Sequence, residues 1–318
     1  MKSILSVVAL ISCVALTSAI PLLYDGRAPL NLTEADLDGS VGPYLTVVKG
    51  ATENASHYSS LLGFSVPPTP LWDTASLVPN EQAISITIDN TSVFVPGSGG
   101  PQYGFRRTEF IAQANGNHTA LNEVLDVGRT VFHFSIMRND LLPLNYDHEY
   151  QIVFIEPSDG SHIFGIQLGS PFTDPTGTLP VPNAHSLKVL DHALNVIYTA
   201  PFTPLTWHNF AVQVDWANRT LCALYSPNAG PLGQVTEVVP NLSAPAGAAG
   251  VGDYHFGVLK LPLANPNDSP AEQADVVHYG IQEGTLEGLI YSGVFVEEAS
   301  GGISIGDGLI SSTICNSA

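Results

Sequence analysis

The amino-acid sequence predicts an all-β protein, a β-jelly roll sandwich with few short helices, and three observations point to it. Apolar and polar residues alternate with period two in run after run, which places one face of each run against a core. Glycine, with 29 residues, and proline, with 24, punctuate the chain at short intervals, as turns between strands require. Helical periodicity is scarce. Such a pattern suits two layers of antiparallel sheet.

The clean alternations are residues 83–88 (AISITI), 130–136 (TVFHFSI), 150–155, 163–168 and 210–216 (FAVQVDW). Residues 34–37 and 56–62 are expected to form a helical turn or two. No linker divides the chain and no repeat is apparent, so residues 20–298 read as one domain, followed by a tail, residues 299–318. With 12% charged and 44% hydrophobic residues, that domain can bury a large core.

The first nineteen residues have a different character. Met1 and Lys2 precede an apolar run over residues 4–16, and Thr17-Ser18-Ala19 supplies small residues for cleavage. This is the layout of a secretory signal peptide, and the run is short for a membrane span. The protein is therefore expected outside the cell. Asn-x-Ser/Thr acceptors at Asn31, Asn54, Asn90, Asn117, Asn218 and Asn241 agree with export and predict surface positions. Another, at Asn267, is weakened by the Pro270 that follows its serine.

Cys13 leaves with the signal peptide, so Cys222 and Cys315 remain. In an oxidising compartment they either bridge, tethering the tail, or stay as two buried thiols. Neither they nor the histidines show a zinc-ligand spacing, and no cofactor is expected.

Ten Lys and Arg stand against 29 Asp and Glu, a net charge of −19. That balance disfavours nucleic acid, anionic lipid and acidic polysaccharides, and leaves a neutral polysaccharide as the easier partner. A monomer is expected.

Two motif matches fail on context. Residues 302–306 (GISIG) fit a nucleophile elbow, but no histidine follows them, so the order of a hydrolase triad is broken. His148-Glu149 opens like a zinc-binding H-E-x-x-H, yet Ile152 stands where the second histidine belongs.

What remains is a set of polar residues on otherwise apolar strands. Alternation groups Phe105, Arg107 and Glu109 on one face of residues 104–110. It groups Glu149, Gln151 and Val153 on one face of residues 147–154, opposite Phe154. On residues 253–260 it groups Asp253, His255 and Gly257. Glycosidic cleavage needs two carboxyl groups flanking the bond, and strands hold such groups rigidly. Glu109 and Glu149 are the candidates; equally, Glu109 could be an ion pair with Arg107 and Glu149 merely solvated. Among the tryptophans, Trp72 in a proline-rich loop is the candidate for stacking on sugar rings.

These stretches resemble the family 131 glycoside hydrolases, secreted fungal enzymes acting on β-glucans. The resemblance begins at Leu23-Tyr24-Asp25-Gly26-Arg27 and runs through residues 105–109 (FRRTE) and 148–151 (HEYQ). It continues through residues 207–210 (WHNF), 214–216 (VDW) and 254–260 (YHFGVLK). Residues 280–284 (GIQEG) and 288–295 (GLIYSGVF) complete it. It implies a β-jelly roll and broad action on β-1,3, β-1,6 and β-1,4 glucans. It also implies catalytic carboxylates at Glu109 and Glu149, a cleft histidine at His255, and inversion. Arg107 and Gln151 are then expected to meet substrate. Arg107 should keep Glu109 ionised, which leaves Glu149 as the acid. The sequence departs from the pattern at Leu261, where a second basic residue is expected.

Two other readings compete. A glucan-binding wall protein on the same fold would bind without product. A polysaccharide lyase would need basic residues to neutralise a uronic acid, which the strong negative charge opposes.

Overall fold

The computed structural model describes residues 20–72, 80–172, 178–245 and 252–316; the signal-peptide segment lies outside them. Two antiparallel sheets pack face to face. The larger has nine strands, its main path running Gly233–Gln234, Thr220–Pro227, His208–Asp215, Arg129–Arg138, Glu287–Glu298, Ile84–Ile88, Ser59–Leu61. Leu22–Asp25 also pairs with Glu287–Glu298, and Val239–Pro240 with Thr220–Pro227. The smaller has seven, in the order Val196–Pro201, Ser186–Asp191, Phe164–Gly169, Glu149–Glu156, Asp253–Lys260, Arg106–Ala112, Tyr44–Val48.

Each run of alternation became a strand because its apolar side could be buried. Phe132 and Phe134 from the large sheet meet the inner face of the small one, which carries Phe110, Tyr254 and Phe256. Phe132 packs edge-on to Tyr254 at 5.0 Å between centroids, and Phe256 meets Tyr291 at 5.6 Å. Burying a large apolar side chain contributes roughly 1.5–3 kcal/mol, so this aromatic layer is a main source of cohesion between the sheets.

Among the described residues, helix is confined to short pieces. Glu34–Asp38 starts at Thr33, whose hydroxyl accepts from the Asp36 amide while the Asp36 carboxylate accepts from the Thr33 amide. The second expected helix is shorter than its sequence suggests: Ala55–Tyr58 is helical, but Ser59–Leu61 pairs with Ile84–Ile88 at the sheet edge. Sheet hydrogen bonds outweigh local propensity there. His118–Leu125, capped by the Asn117 side chain, is a helix that strand periodicity gave no reason to expect.

One irregularity shapes the outer face of the small sheet. Gln151 stands opposite Gln167 and Val153 opposite Ile166, which leaves Ile152 as an extra residue. Ile152 and Val153 both point into the core, so the alternation changes frame at this bulge. Glu149 and Gln151 before it, and Phe154 and Glu156 after it, consequently share the outer face. Sequence alternation had put Phe154 on the opposite side. Tyr291 reaches across from the large sheet, donating its hydroxyl to the Gly257 carbonyl, with the Ile152 carbonyl 3.2 Å away.

Cys222 and Cys315 form a disulfide with Cα atoms 5.7 Å apart. It fastens the tail, including the hairpin Ile303–Gly306/Leu309–Ser311, to the outer side of the large sheet. The serine of the rejected elbow motif, Ser304, lies in this hairpin and bonds to the Glu297 carboxylate at 2.7 Å. Among the described residues, no helix is long and apolar enough to cross a membrane.

The acceptor asparagines divide. Asn31, Asn54, Asn90, Asn117 and Asn218 are exposed. Asn241 is not: it is 2% exposed. Its amide nitrogen donates to the Ile163 carbonyl at 2.8 Å and its oxygen accepts from the His192 amide at 2.9 Å. A glycan on that nitrogen would crowd the Ile163 carbonyl and has no room at a site 2% exposed, which corrects the expectation for this position.

Candidate active site

Three neighbouring strands of the small sheet build the site. Arg106–Ala112 and Glu149–Glu156 both pair with Asp253–Lys260, so the central strand carries His255 between the two glutamate-bearing strands. Glu109 stands opposite Gly257. A β-carbon on residue 257 would come within 2.3 Å of the Thr108 carbonyl oxygen and 2.7 Å of the Glu109 Cα. Glycine is what lets these backbones approach so closely.

Glu109 is enclosed, at 1% exposure, and both carboxylate oxygens are used. Arg107 donates through Nε to Oε1 at 2.8 Å and through Nη2 to Oε2 at 2.7 Å, a bidentate pair. His255 Nδ1 lies 2.8 Å from Oε2. Burial alone would raise the Glu109 pKa; the Arg107 charge, its hydrogen bonds and those of His255 overcome this and hold it at about 2. Arg107 is in turn covered by the Phe94 ring, 5.5 Å from its guanidinium carbon.

Glu149 lies further along the same face. Its Oε1 accepts from Gln151 Nε2 at 2.8 Å and its Oε2 from the Phe172 amide at 2.7 Å. Beside it opens a cavity of about 180 Å³, lined by Asp147, Ser170, Phe172, Pro262, Leu263 and Ile281 among others. Leu261, the departure from the expected basic residue, is buried, and its amide donates to the Glu149 carbonyl at 2.9 Å. Lys260 turns inward instead. Its ammonium bonds Glu287 at 2.7 Å and Glu283 at 2.8 Å, so it knits the sheets together rather than facing a ligand.

The structure thus gathers Glu109, Glu149, His255, Arg107 and Gln151 on one face of the small sheet. Trp72 it does not. That ring packs edge-on against His133 at 5.2 Å and Phe295 at 4.9 Å, on the outer side of the large sheet, two layers away. Gly293 gives it a seat, since a β-carbon there would lie 2.7 Å from the indole nitrogen. Trp72 therefore lies away from the glutamate face, lining a separate cavity of about 390 Å³ with Arg27, Phe295, Glu297 and Ser304, which corrects its expected place beside the catalytic residues.

Three residues of this face escaped the sequence reading. Glu156 brings Oε2 to 3.7 Å from both Arg107 Nη2 and His255 Nε2. Burial raises its pKa, against the pull of His255 and Arg107. His162 stacks on Phe154 at 4.1 Å, and Phe154 on His255 at 4.8 Å; burial lowers the His162 pKa to about 4. Lys188 is buried with its ammonium on the Gly169 carbonyl at 2.8 Å. Burial lowers its pKa to about 8, although the nearby Glu149 opposes the shift. Only Glu156 had a findable signal, a carboxylate closing an apolar strand, and straight alternation placed it on the wrong face.

Glu109, Glu156 and His255 could each offer a ligand atom to one ion, within 4.8 Å of one another. The Arg107 guanidinium already supplies the positive charge at that spot, so a divalent cation would meet repulsion. The residues do not suit a metal. What they suit is proton transfer beside a neutral ligand.

The sequence profile of the glycoside hydrolase 131 catalytic N-terminal domain matches residues 22–302. The catalytic domain of a glycoside hydrolase family 131 protein from Coprinopsis cinerea is similar in structure, with a TM-score of 0.63 at 26% identity. The match covers 90% of this chain and 98% of that one. A GH131 β-glucanase catalytic domain from Podospora anserina is similar with a TM-score of 0.64 at 24% identity, over the same shares of the two chains. No curated protein matches the sequence. With a family profile spanning most of its length and a fold shared with two family structures, the chain belongs to glycoside hydrolase family 131 and is a glycoside hydrolase.

Proposed function

We propose that the chain is an extracellular hydrolase of neutral β-glucans, cutting β-1,3, β-1,6 or β-1,4 linkages with Glu109 and Glu149 as its carboxyl pair and with inversion. The observation that carries the reading is the shared outer face of the small sheet. There a glutamate held charged by Arg107 and His255 lies on the same surface as a second glutamate beside an open cavity. The relative from Podospora anserina is named a β-glucanase, which supports the substrate class. The apolar run and small residues at the N-terminus support export.

Roles follow from the surroundings. Glu109 stays ionised, so the proton given to the leaving oxygen falls to Glu149. Glu109 has no exposed surface, and His255 extends it: Nδ1 bonds the carboxylate while Nε2 points towards Glu156. In an inverting reaction the Glu109–His255 pair takes the proton of the attacking water as that oxygen bonds to the anomeric carbon. The glycosidic bond breaks with Glu149 protonating the departing oxygen.

The test is sugar release from laminarin, a β-1,6-glucan and a soluble cellulose derivative, with Glu109→Gln and Glu149→Gln run beside wild type. Release by wild type and loss in both variants supports the pair. The anomer first formed, read by proton NMR, decides inversion. Retardation in glucan gels without any release would make this a glucan-binding protein instead.

A further inference from the structure

A second hollow lies on the outer face, one strand beyond Glu149. In Phe164–Gly169 the side chains of Phe164, Ile166 and Leu168 fill the core, so Gly165 and Gln167 face outward. Gln167 stands opposite Gln151, whose amide nitrogen donates to Glu149 at 2.8 Å. Gly165 leaves the floor low beside it: the atom nearest to a β-carbon placed there is His162 Nδ1, at 3.7 Å. Leu190, paired with Gly165, and Leu194 from the loop after Ser186–Asp191 form an apolar wall. The result is a crevice of about 20 Å³, room for one water-sized group.

Its polar groups are unspent. Gln167 is 7% exposed, yet among the described residues its amide has no hydrogen-bond partner, and neither has the His162 imidazole. Asp191, also in the wall, is taken up by Asn195 at 2.8 and 2.9 Å. Burial lowers the His162 pKa to about 4, so above that pH its ring offers one donor and one acceptor. An amide and an imidazole beside two leucines match a hydroxymethyl group, whose carbon meets the wall while its hydroxyl meets Gln167. The crevice also lies across Glu149 from Glu109, since the strands run Arg106–Ala112, Asp253–Lys260, Glu149–Glu156, Phe164–Gly169. Inversion brings water from the Glu109 side, so the departing sugar extends past Glu149 towards Gln167.

We propose that Gln167 is a specificity residue: its crevice receives the free hydroxymethyl group of a hexose on the departing side, so the enzyme favours glucans whose C6 hydroxyls are unsubstituted. This rests on the hydrolase reading above and deepens it by naming the sugar group that one position reads. A β-1,3- or β-1,4-linked chain carries that free group on its units. In a β-1,6-linked chain the same oxygen belongs to the linkage. It then has no proton to donate to Gln167, and the sugar attached to it is too large for a water-sized crevice.

The test compares Gln167→Ala and Gln167→Met with wild type on laminarin and on a linear β-1,6-glucan, after melting curves establish that all three fold. Methionine keeps the length of glutamine and removes its hydrogen bonds. On laminarin, kcat/KM should fall roughly tenfold in both variants, the loss of one good hydrogen bond to the ligand. On the β-1,6-glucan the fall should be several times smaller, so that the wild-type preference for laminarin narrows. An unchanged kcat/KM on laminarin overturns the proposal, as does a wild-type preference for the β-1,6-glucan. An equal fall on both glucans also overturns it, because Gln167 then supports Glu149 and reads no linkage. If wild type releases sugar from neither glucan, the hydrolase reading fails separately. Wherever a glucan is left uncut, retardation in gels containing it replaces the rate: weaker retardation of both variants by laminarin alone keeps the crevice, and equal retardation removes it.

Discussion

His255 reaches Glu109 across the strand pair, Nδ1 to Oε2 at 2.8 Å, although the residue directly opposite Glu109 is Gly257. Gly257 lets the two backbones close in on each other beside this contact, and Arg107 holds the carboxylate through both of its oxygens.

Gly257→Ala should therefore disturb the site without touching a titrating group. The new methyl would press on the Thr108 carbonyl and the Glu109 backbone, neither of which can rotate away. Overpacking of this kind costs about 1–3 kcal/mol. A melting temperature lowered by several degrees together with sharply reduced sugar release is the expected pair of results. Wild-type values for both would show that the strands part at no cost.

Glu109 makes the protein sensitive to acid. Its folded pKa of about 2 lies below the ordinary 4.5, so the unfolded chain binds the proton first. The stability it contributes is present above about pH 4.5 and is lost as pH falls towards 2. Circular-dichroism melts between pH 2 and 5 should show a steeper loss for wild type than for Glu109→Gln. Parallel curves would mean that the pair with Arg107 contributes little.

Glu81 acts in the opposite direction. Burial raises its pKa to about 7 despite the bond from the Gly293 amide. The native state then holds a proton that the unfolded chain releases, so stability is lost as pH rises from about 4.5 through 7. Glu81→Gln should raise the melting temperature at pH 7.5 relative to wild type and leave it nearly unchanged at pH 4. A lower melting temperature at pH 7.5 would contradict this.

Removal of the disulfide should separate stability from activity. Cys222–Cys315 closes 93 residues of chain, and losing a bridge of this size costs about 2–5 kcal/mol. The bridge lies on the outer side of the large sheet, away from Glu109 and Glu149. Cys222→Ser/Cys315→Ser should melt several degrees lower yet release sugar at the wild-type rate at 25 °C. Loss of rate in the folded double variant would tie the tail to the site.

Glycan mapping checks the surface assignments. Peptides carrying Asn117 and Asn218 can bear glycans in secreted protein; the peptide with Asn241 should carry none, since its side-chain amide is bonded at both ends inside the fold. Mass spectrometry before and after enzymatic deglycosylation reads this directly. A glycan on Asn241 in folded, active protein would contradict the buried geometry.

The sequence by itself determined the class of fold and most strands, because alternation is local: Ile84–Ile88 or His208–Asp215 needs only its own side chains to declare a buried face. It also marked Arg107 beside Glu109, two residues apart on one strand and so necessarily on one face. The tertiary structure alone decided what depends on partners. The bulge at Ile152 arises from pairing with Phe164–Gly169 and brings Glu156 to the face of Glu149. Trp72 goes to the far sheet because Gly293 leaves it a seat there, 221 positions along the chain. Asn241 is buried because the distant Ile163 and His192 backbones bond its amide. Local periodicity records which side of a strand is apolar, but only the packed chain fixes which strands meet, and in which register.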